Sequence, residues 1–93
     1  MNEELLKMFL AGEVLVIFRK KENNLIRNML CTLNKDLIPP EKYSTLSAII
    51  TNIDFPRAVV WDVEALDWRS FYIDSVITIK QTEIKDSSIF EQR

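Results

Sequence analysis

The stretch AVVWDVEALDWRSFYIDSVITIK, residues 58–80, decides the fold of this chain. It opens with a run of β-branched and aromatic residues, Val59, Val60, Trp61 and Val63. An acidic turn at residues 64–67 interrupts the run, and apolar side chains then resume two or four positions apart, at Phe71, Ile73 and Ile77. This pattern is typical of a β-hairpin that is followed by a further strand.

The composition predicts one globular domain, residues 1–93. Hydrophobic residues make up 47% of the chain, which suffices for one small core. Twelve Lys and Arg residues oppose fourteen Asp and Glu residues, which gives a formal net charge of -2. A chain with this balance is not drawn as a whole to nucleic acid or to an anionic membrane, so such binding requires a local basic patch.

The chain contains no histidine and one cysteine, Cys31. This composition excludes the common zinc sites, histidine-dependent triads and an internal disulfide. Cys31 lies in an apolar run, which favours a buried, inert thiol over a reactive one. The chain has no signal-peptide pattern and no apolar run of bilayer-spanning length, so the sequence predicts a cytoplasmic protein without a membrane partner.

An N-terminal helix is predicted over residues 1–11, with Asn2 as its cap and Gly12 as a left-handed residue after its end. The helix carries four apolar side chains on one face, Leu5, Leu6, Phe9 and Leu10. Their three- and four-residue spacing indicates that this face covers one end or face of a sheet.

A β-hairpin is predicted next, with strands at residues 13–20 and 25–33. The first strand places Val14, Val16 and Phe18 on one face. The turn at residues 21–24 ends in two Asn residues, which tolerate positive φ. The second strand presents Leu25, Met29, Cys31 and Leu33 on one side, with Arg27 interrupting that side near the turn.

Residues 34–56 are predicted to form a partly helical insertion. Residues 36–40 should be extended, because each proline biases its predecessor away from the helical region, and Pro40 suits the first position of a helix. The helix should span residues 41–51 and present Tyr43, Leu46, Ile49 and Ile50 on one face. Residues 84–93 are predicted to be a tail that frays.

These elements predict a mainly β fold of the α+β class, with a small five-stranded barrel of the Sm-like or SH3 type over residues 13–83. A closed or nearly closed barrel avoids the long edges of an open sheet. Phe71 and Ile73 should point inward, against Val16 or Phe18. An edge that stays partly unpaired predicts self-association into a dimer or a larger ring.

The segments GEVLVIFRKKENNLIRNMLCTLNKDLIPPEK and VVWDVEALDWRSFYIDSV resemble a WYL-like family of small tailed-bacteriophage proteins with an Sm-like SH3 barrel. The resemblance covers about residues 12–79. Its most telling parts are the F-x-K-K turn at residues 18–21, the Cys-Thr-Leu-Asn run at residues 31–34 and the Trp-Arg-Ser-Phe run at residues 68–71. It implies a phage accessory or regulatory protein that acts in the host cytoplasm.

WYL domains themselves bind nucleic acids or small effectors, and their closing stretch is similar to R-x-F-R-x-D-R-I. Four residues of this chain fit that pattern, Arg69, Phe71, Asp74 and Val76. Tyr72 and Ser75 stand where WYL domains usually carry arginine. The Trp-Tyr-Leu triplet is also missing, its place falling near residues 56–58. The fold is therefore better supported by the resemblance than the ligand-binding role is.

Local charges and the resemblance together predict a nucleic-acid site, formed by Arg19, Lys20, Lys21, Arg27, Trp68, Arg69 and Tyr72. The basic side chains would contact phosphates, and Trp68 or Tyr72 would stack on bases. The alternative is a solvated turn beside two aromatic residues that pack into the core or against a neighbour. Glu22, within the basic cluster, favours this alternative.

Enzymatic sites are not indicated, and no cofactor is predicted. The carboxylates at Asp62, Glu64 and Asp67 surround a turn, where exposed groups lack the raised pKa that acid–base catalysis needs. Gly12 is the only glycine, which excludes a glycine-rich phosphate loop, and Ser70 has no histidine to activate it. The alternative function is recognition of a host protein, anchored by Tyr43, Trp61, Trp68 or Tyr72. A small-molecule sensor is a third possibility.

Overall fold

The computed structural model describes residues 3–51 and 56–82. This part of the chain contains two α-helices, α1 (Glu3–Ala11) and α2 (Tyr43–Thr51). It also contains five strands: β1 (Val14–Arg19), β2 (Ile26–Thr32), β3 (Arg57–Asp62), β4 (Asp67–Tyr72) and β5 (Val76–Gln81). Short 3-10 turns lie at Lys35–Leu37, Pro40–Lys42 and Ile73–Ser75. The chain is thus an α+β domain with one five-stranded antiparallel sheet.

The strand order β4-β3-β2-β1-β5 places two consecutive strands at opposite edges of the sheet. In a flat sheet, four spacings of ~4.8 Å would separate these edges by about 19 Å. The connection between them is only Ile73–Ser75, and a 3-10 turn advances about 2 Å per residue. The sheet must therefore curl strongly to bring the end of β4 near the start of β5.

The curled sheet is open in the structure. Among residues 3–51 and 56–82, hydrogen-bonded pairing joins β1 to β2 and β5, and β3 to β2 and β4, but it does not join β4 to β5. The five antiparallel strands were predicted correctly, whereas closure of the barrel is not shown.

The core lies on the inner face of the curled sheet. Val14, Val16 and Phe18 alternate inward from β1, and each is buried. The buried Phe71 ring lies 5.5 Å from the Phe18 ring and 6.4 Å from the Phe9 ring of α1, centroid to centroid. Phe71 therefore points inward as predicted, and the half-buried Ile73 packs against the same core.

Helix α1 is fixed to β2 by a buried threonine. The Thr32 hydroxyl donates to the carbonyl oxygens of Phe9, at 3.1 Å, and Gly12, at 2.7 Å. Leu5 and Phe9 are buried as predicted, but Leu10 is 38% exposed. The prediction of a left-handed Gly12 is wrong, because Gly12 does not have a positive φ. The predicted Asn2 cap lies outside the described residues.

The insertion contains the predicted helix, but residues 36–40 are not extended throughout, because the Asn34 side chain accepts from the Asp36 N–H at 2.8 Å and a 3-10 turn forms at Lys35–Leu37. Leu46 of α2 is buried, and Ile49 and Ile50 pack partly against the core. Tyr43 is exposed, and its hydroxyl donates to the Lys35 carbonyl at 2.9 Å. Neither α1 nor α2, the α-helices among residues 3–51 and 56–82, is long and apolar enough to cross a bilayer. The predicted tail at residues 84–93 lies outside the described residues.

One strand prediction was wrong, and one spacing in the sequence is interrupted by a bulge. Leu25 was placed on the inner side of β2, but it lies in the turn before β2 and is 61% exposed. Ile77, which continues the spacing of Phe71 and Ile73 in the sequence, is 52% exposed. The β1–β5 pairing shifts between Ile17 and Phe18, which pair with Thr78 and Val76, so Ile77 is the extra residue of a β-bulge.

Candidate nucleic-acid interface

A cleft of about 330 Å³ lies between the β1–β2 turn and β4, and we call it the basic cleft. Six of the seven predicted site residues line it: Arg19, Lys20, Lys21, Arg27, Arg69 and Tyr72. The other described residues that line it are Phe18, Glu22, Met29, Ser70, Phe71 and Ser75. The fold therefore brings together six residues that lie up to 53 positions apart in the chain.

Strand alternation explains how arginine side chains reach the basic cleft. Arg27 precedes the buried Met29 by two residues on β2, so both project from the inner face. Arg69 has the same relation to the buried Phe71 on β4. Phe18 pairs directly with Arg27 across β1 and β2. Each guanidinium therefore emerges at the mouth of the cleft, above an apolar floor.

Carboxylates accompany four of the five cationic side chains of the cleft. The ion pairs are Lys20–Glu22 at 3.5 Å, Lys21–Asp74 at 3.1 Å, Arg27–Asp62 at 3.4 Å and Arg69–Asp67 at 2.9 Å. Arg19 instead donates to the Asn24 carbonyl at 3.0 Å. Three of the four carboxylates are exposed, and exposed pairs are weak, so a phosphate can replace them as partners.

Asp62 is the exception, because its side chain is only 4% exposed. Its Oδ1 accepts the backbone N–H groups of Glu64 at 2.9 Å and Ala65 at 3.0 Å, and its Oδ2 accepts from Arg27. One buried carboxylate thus organises the β3–β4 turn and holds Arg27 in place. The interpretation of Asp62 as an ordinary exposed turn residue was wrong, whereas Glu64 and Asp67 are exposed as expected.

Asp67 illustrates how an exposed carboxylate of the turn stays ionised. The backbone N–H of Trp68 donates to it at 2.8 Å, and the Arg69 guanidinium donates at 2.9 Å. These two hydrogen bonds, in that order, lower the pKa of Asp67 below its usual value. A carboxylate with a lowered pKa is unsuited to act as a general acid near neutral pH.

The two predicted stacking residues differ in position. Tyr72 is 39% exposed at the rim of the cleft. The Lys21 ammonium lies 4.9 Å from its ring centroid, and the guanidinium carbon of Arg57 lies 5.7 Å from it. Arg57, which sequence reasoning missed, also donates a hydrogen bond to Ser70. Arg57 pairs directly with Tyr72 across β3 and β4, so a known hairpin register would have indicated that Arg57 lies beside the Tyr72 ring.

Trp68 does not line the basic cleft. It pairs with Trp61 across β3 and β4, on the opposite side of β4 from Arg69. Its half-buried ring meets the Trp61 ring edge-on, with centroids 5.1 Å apart and planes at 77°. Trp68 therefore packs against a neighbouring aromatic residue, which is the alternative that the sequence left open.

Nucleophile and metal chemistry find no support in the described part of the chain. Cys31 is buried, and its thiol lies 3.6 Å from the Val14 carbonyl oxygen. Burial, and secondarily the charge of Asp62, raises the pKa of Cys31 to about 12, so the thiolate is scarce at neutral pH. Residues 3–51 and 56–82 contain no group of three or more Cys, Asp or Glu side chains that could hold a metal ion.

Comparisons with protein-family models, with curated proteins and with solved structures found no match. The resemblance to the WYL-like phage family thus stays a prediction from the motifs at residues 18–21, 31–34 and 68–71.

Proposed function

We propose that this chain is a non-catalytic binding module, a phage accessory or regulatory protein of the host cytoplasm, that binds nucleic acid through the basic cleft. The supporting observation is that five cationic side chains from β1, its following turn, β2 and β4 converge on one cavity. Phosphate contacts by such groups supply most of the affinity of non-specific nucleic-acid binding.

The charge distribution supports this proposal despite the net charge of -2. Five cations line the cleft, and four carboxylates pair with them, namely Glu22 in the lining and Asp62, Asp67 and Asp74 beside it, so the local charge is about +1. The excess negative charge of the chain therefore lies elsewhere. A phosphate that enters the cleft meets a slight local excess of positive charge, which is the local patch that nucleic-acid binding requires in a chain of negative net charge.

We also propose that the curled sheet is an Sm-like SH3 barrel. The three-residue connection between its two edge strands supports this reading, because only strong curling can bring those edges so close. In such a barrel the basic cleft lies where β1, β2 and β4 converge, with Phe18, Met29 and Phe71 below it. The rigid sheet would hold the cationic groups in place for a ligand.

The double substitution Lys20→Glu/Lys21→Glu is expected to abolish or strongly weaken binding to single-stranded oligonucleotides. For a single strand, each lost phosphate contact lowers the slope of log affinity against log salt by about 0.7, so two lost contacts lower it by about 1.4. Fluorescence anisotropy at several salt concentrations measures this slope for each variant.

The matched control is Lys7→Glu/Lys80→Glu, which changes the net charge equally. Both lysines are exposed and do not line the basic cleft. The control should retain nearly the wild-type salt slope. Absence of binding by the wild-type protein at low salt, or equal losses in the two double variants, would contradict a nucleic-acid site in the cleft.

Recognition of a host protein is the second candidate, and exposed apolar side chains favour it. Leu25, Ile26 and Ile77 are 61%, 56% and 52% exposed. Of the four proposed anchors, Tyr43 and Tyr72 are exposed, whereas Trp61 is 1% exposed and cannot contact a partner without rearrangement. A pulldown from host lysate tests this candidate: protein that stays bound after nuclease treatment, and is lost with Ile26→Ser, favours it over nucleic acid.

Self-association is expected because the described sheet has two edges, β4 and β5, that pair on one side only. Unpaired edge groups are a ready template for another strand. Multi-angle light scattering should therefore give the mass of a dimer or a larger ring at high protein concentration. A monomer mass over the whole concentration range would contradict this prediction.

A further inference from the structure

We infer that the basic cleft recognises a phosphomonoester, the terminal phosphate of a strand or of a free nucleotide, in preference to the internal phosphodiesters of a strand. This inference rests on the proposed function, since it concerns the same cleft, and it specifies which chemical group the cleft selects. Three observations carry it: the shape of the cleft, the burial of its aromatic rings and the kind of donors at its mouth.

The shape of the cleft favours a chain end. Its floor consists of Phe18, Met29 and Phe71, which are 7%, 2% and 3% exposed. The volume of about 330 Å³ lies at the lower end of the ~300–1,000 Å³ that ligand pockets usually have. A cleft of this size with a packed floor admits one nucleotide-sized group.

Base stacking contributes little in this geometry. The rings of Phe18 and Phe71 stack on each other and expose almost no face. The exposed Tyr72 ring already has Lys21 and Arg57 near it. With Trp68 outside the cleft, recognition must depend on charge and hydrogen bonds.

The donors at the mouth suit a dianion. Arg27 and Arg69 carry planar guanidinium groups, whose paired N–H groups match phosphate oxygens. Ser70 and Ser75 also line the cleft. The buried Asp62 already holds the Arg27 guanidinium in place, so this group loses less conformational entropy when it binds a phosphate. A phosphomonoester carries about -1.5 to -2 charge at pH 7 and three acceptor oxygens, whereas a phosphodiester carries one charge.

The test compares oligothymidylates of about ten nucleotides, within the length that one small barrel binds, bearing a 5′-phosphate, a 3′-phosphate or hydroxyl groups at both ends. At least one phosphorylated strand should bind about tenfold more tightly than the hydroxyl-ended strand, because one charge-assisted hydrogen bond contributes at least this factor. The variant Arg69→Gln should reduce this ratio towards one. Its ion-pair partner Asp67 is exposed, so the variant should stay folded, as circular dichroism can verify.

Adenosine monophosphate, as a competitor, distinguishes the two sources of the phosphate. If adenosine monophosphate displaces the phosphorylated strand at equal concentration, the phosphomonoester site is supported and its ligand is a free nucleotide. If displacement is weak, the site is supported and its ligand is the end of a strand. Equal binding of phosphorylated and hydroxyl-ended strands, both lost with Lys20→Glu/Lys21→Glu, would overturn the inference and leave the proposed function. A preference that Arg69→Gln does not change would overturn the assignment to this cleft. No binding of any probe would overturn both.

Discussion

Replacing Phe71 with alanine is expected to lower the free energy of unfolding by about 3–5 kcal/mol. The side chain is 3% exposed and lies between the rings of Phe18 and Phe9, so that it joins β4 to both β1 and α1. A small domain has a total stability of only about 5–15 kcal/mol. The substitution would therefore remove a large part of the stability of this fold.

Denaturant unfolding measured by circular dichroism tests this prediction. Phe71→Leu serves as a milder variant in case the alanine variant does not fold, and its loss should lie between those of wild type and alanine. The matched control is Tyr72→Ala, the adjacent aromatic residue on β4, which is 39% exposed. Its loss should be about 1 kcal/mol, the size of an exposed cation–π contact. Equal losses for Phe71→Ala and Tyr72→Ala would contradict the inward placement of Phe71.

The stretch at residues 58–80 shows how far sequence reasoning could go. The β3–β4 hairpin and the inward Phe71 follow from local alternation, because side chains of a strand point alternately to its two faces. The alternation does not continue into β5. The 3-10 turn at Ile73–Ser75 and the bulge at Ile77 reset it, and both depend on how the curled sheet brings β5 against β1.

The candidate site shows a similar limit. The cluster Arg19–Lys20–Lys21 and Arg27 could be predicted from the sequence, because a tight turn must bring them near each other. The resemblance added Arg69. The apolar floor of the cleft and the place of Ser70 and Ser75 in its lining could not be predicted, since they require that β4 approach β1 across the curl. Trp68 was misplaced although local alternation decides its side of β4, because it lies three residues before the inward Phe71 and therefore on the opposite face.

Asp62 shows that a turn carboxylate can be structural. Ala58, Val60 and Asp62 alternate on the inner face of β3, and this alternation, continued past the apolar residues, would have predicted a buried Asp62. Asp62 was instead grouped with its acidic neighbours Glu64 and Asp67, because carboxylates around a turn are usually exposed to solvent. The position of Asp62 in the strand, and not its charge, determines its burial.

The variant Asp62→Ala is expected to lower the free energy of unfolding by about 2–4 kcal/mol, since it removes the acceptor of two backbone N–H groups and of a guanidinium. Asp62→Asn should cost less, because the amide oxygen can still accept the N–H groups of Glu64 and Ala65. Asp62→Asn removes only the negative charge that faces Arg27. The Arg27 side chain is partly exposed, so water can solvate its guanidinium instead.

A double-mutant cycle with Asp62→Asn and Arg27→Gln separates the ion pair from the turn. We expect a coupling energy of about 1 kcal/mol, because the pair is buried on the Asp62 side and partly solvated on the Arg27 side. The turn contribution should remain as the difference between Asp62→Ala and Asp62→Asn, and it should be the same with Arg27 or Gln at position 27. If the alanine and asparagine variants were equally destabilised, the turn hydrogen bonds would contribute nothing, and the account of Asp62 as the organiser of the β3–β4 turn would be wrong. Zero coupling would instead show that Asp62 does not hold Arg27 at the basic cleft.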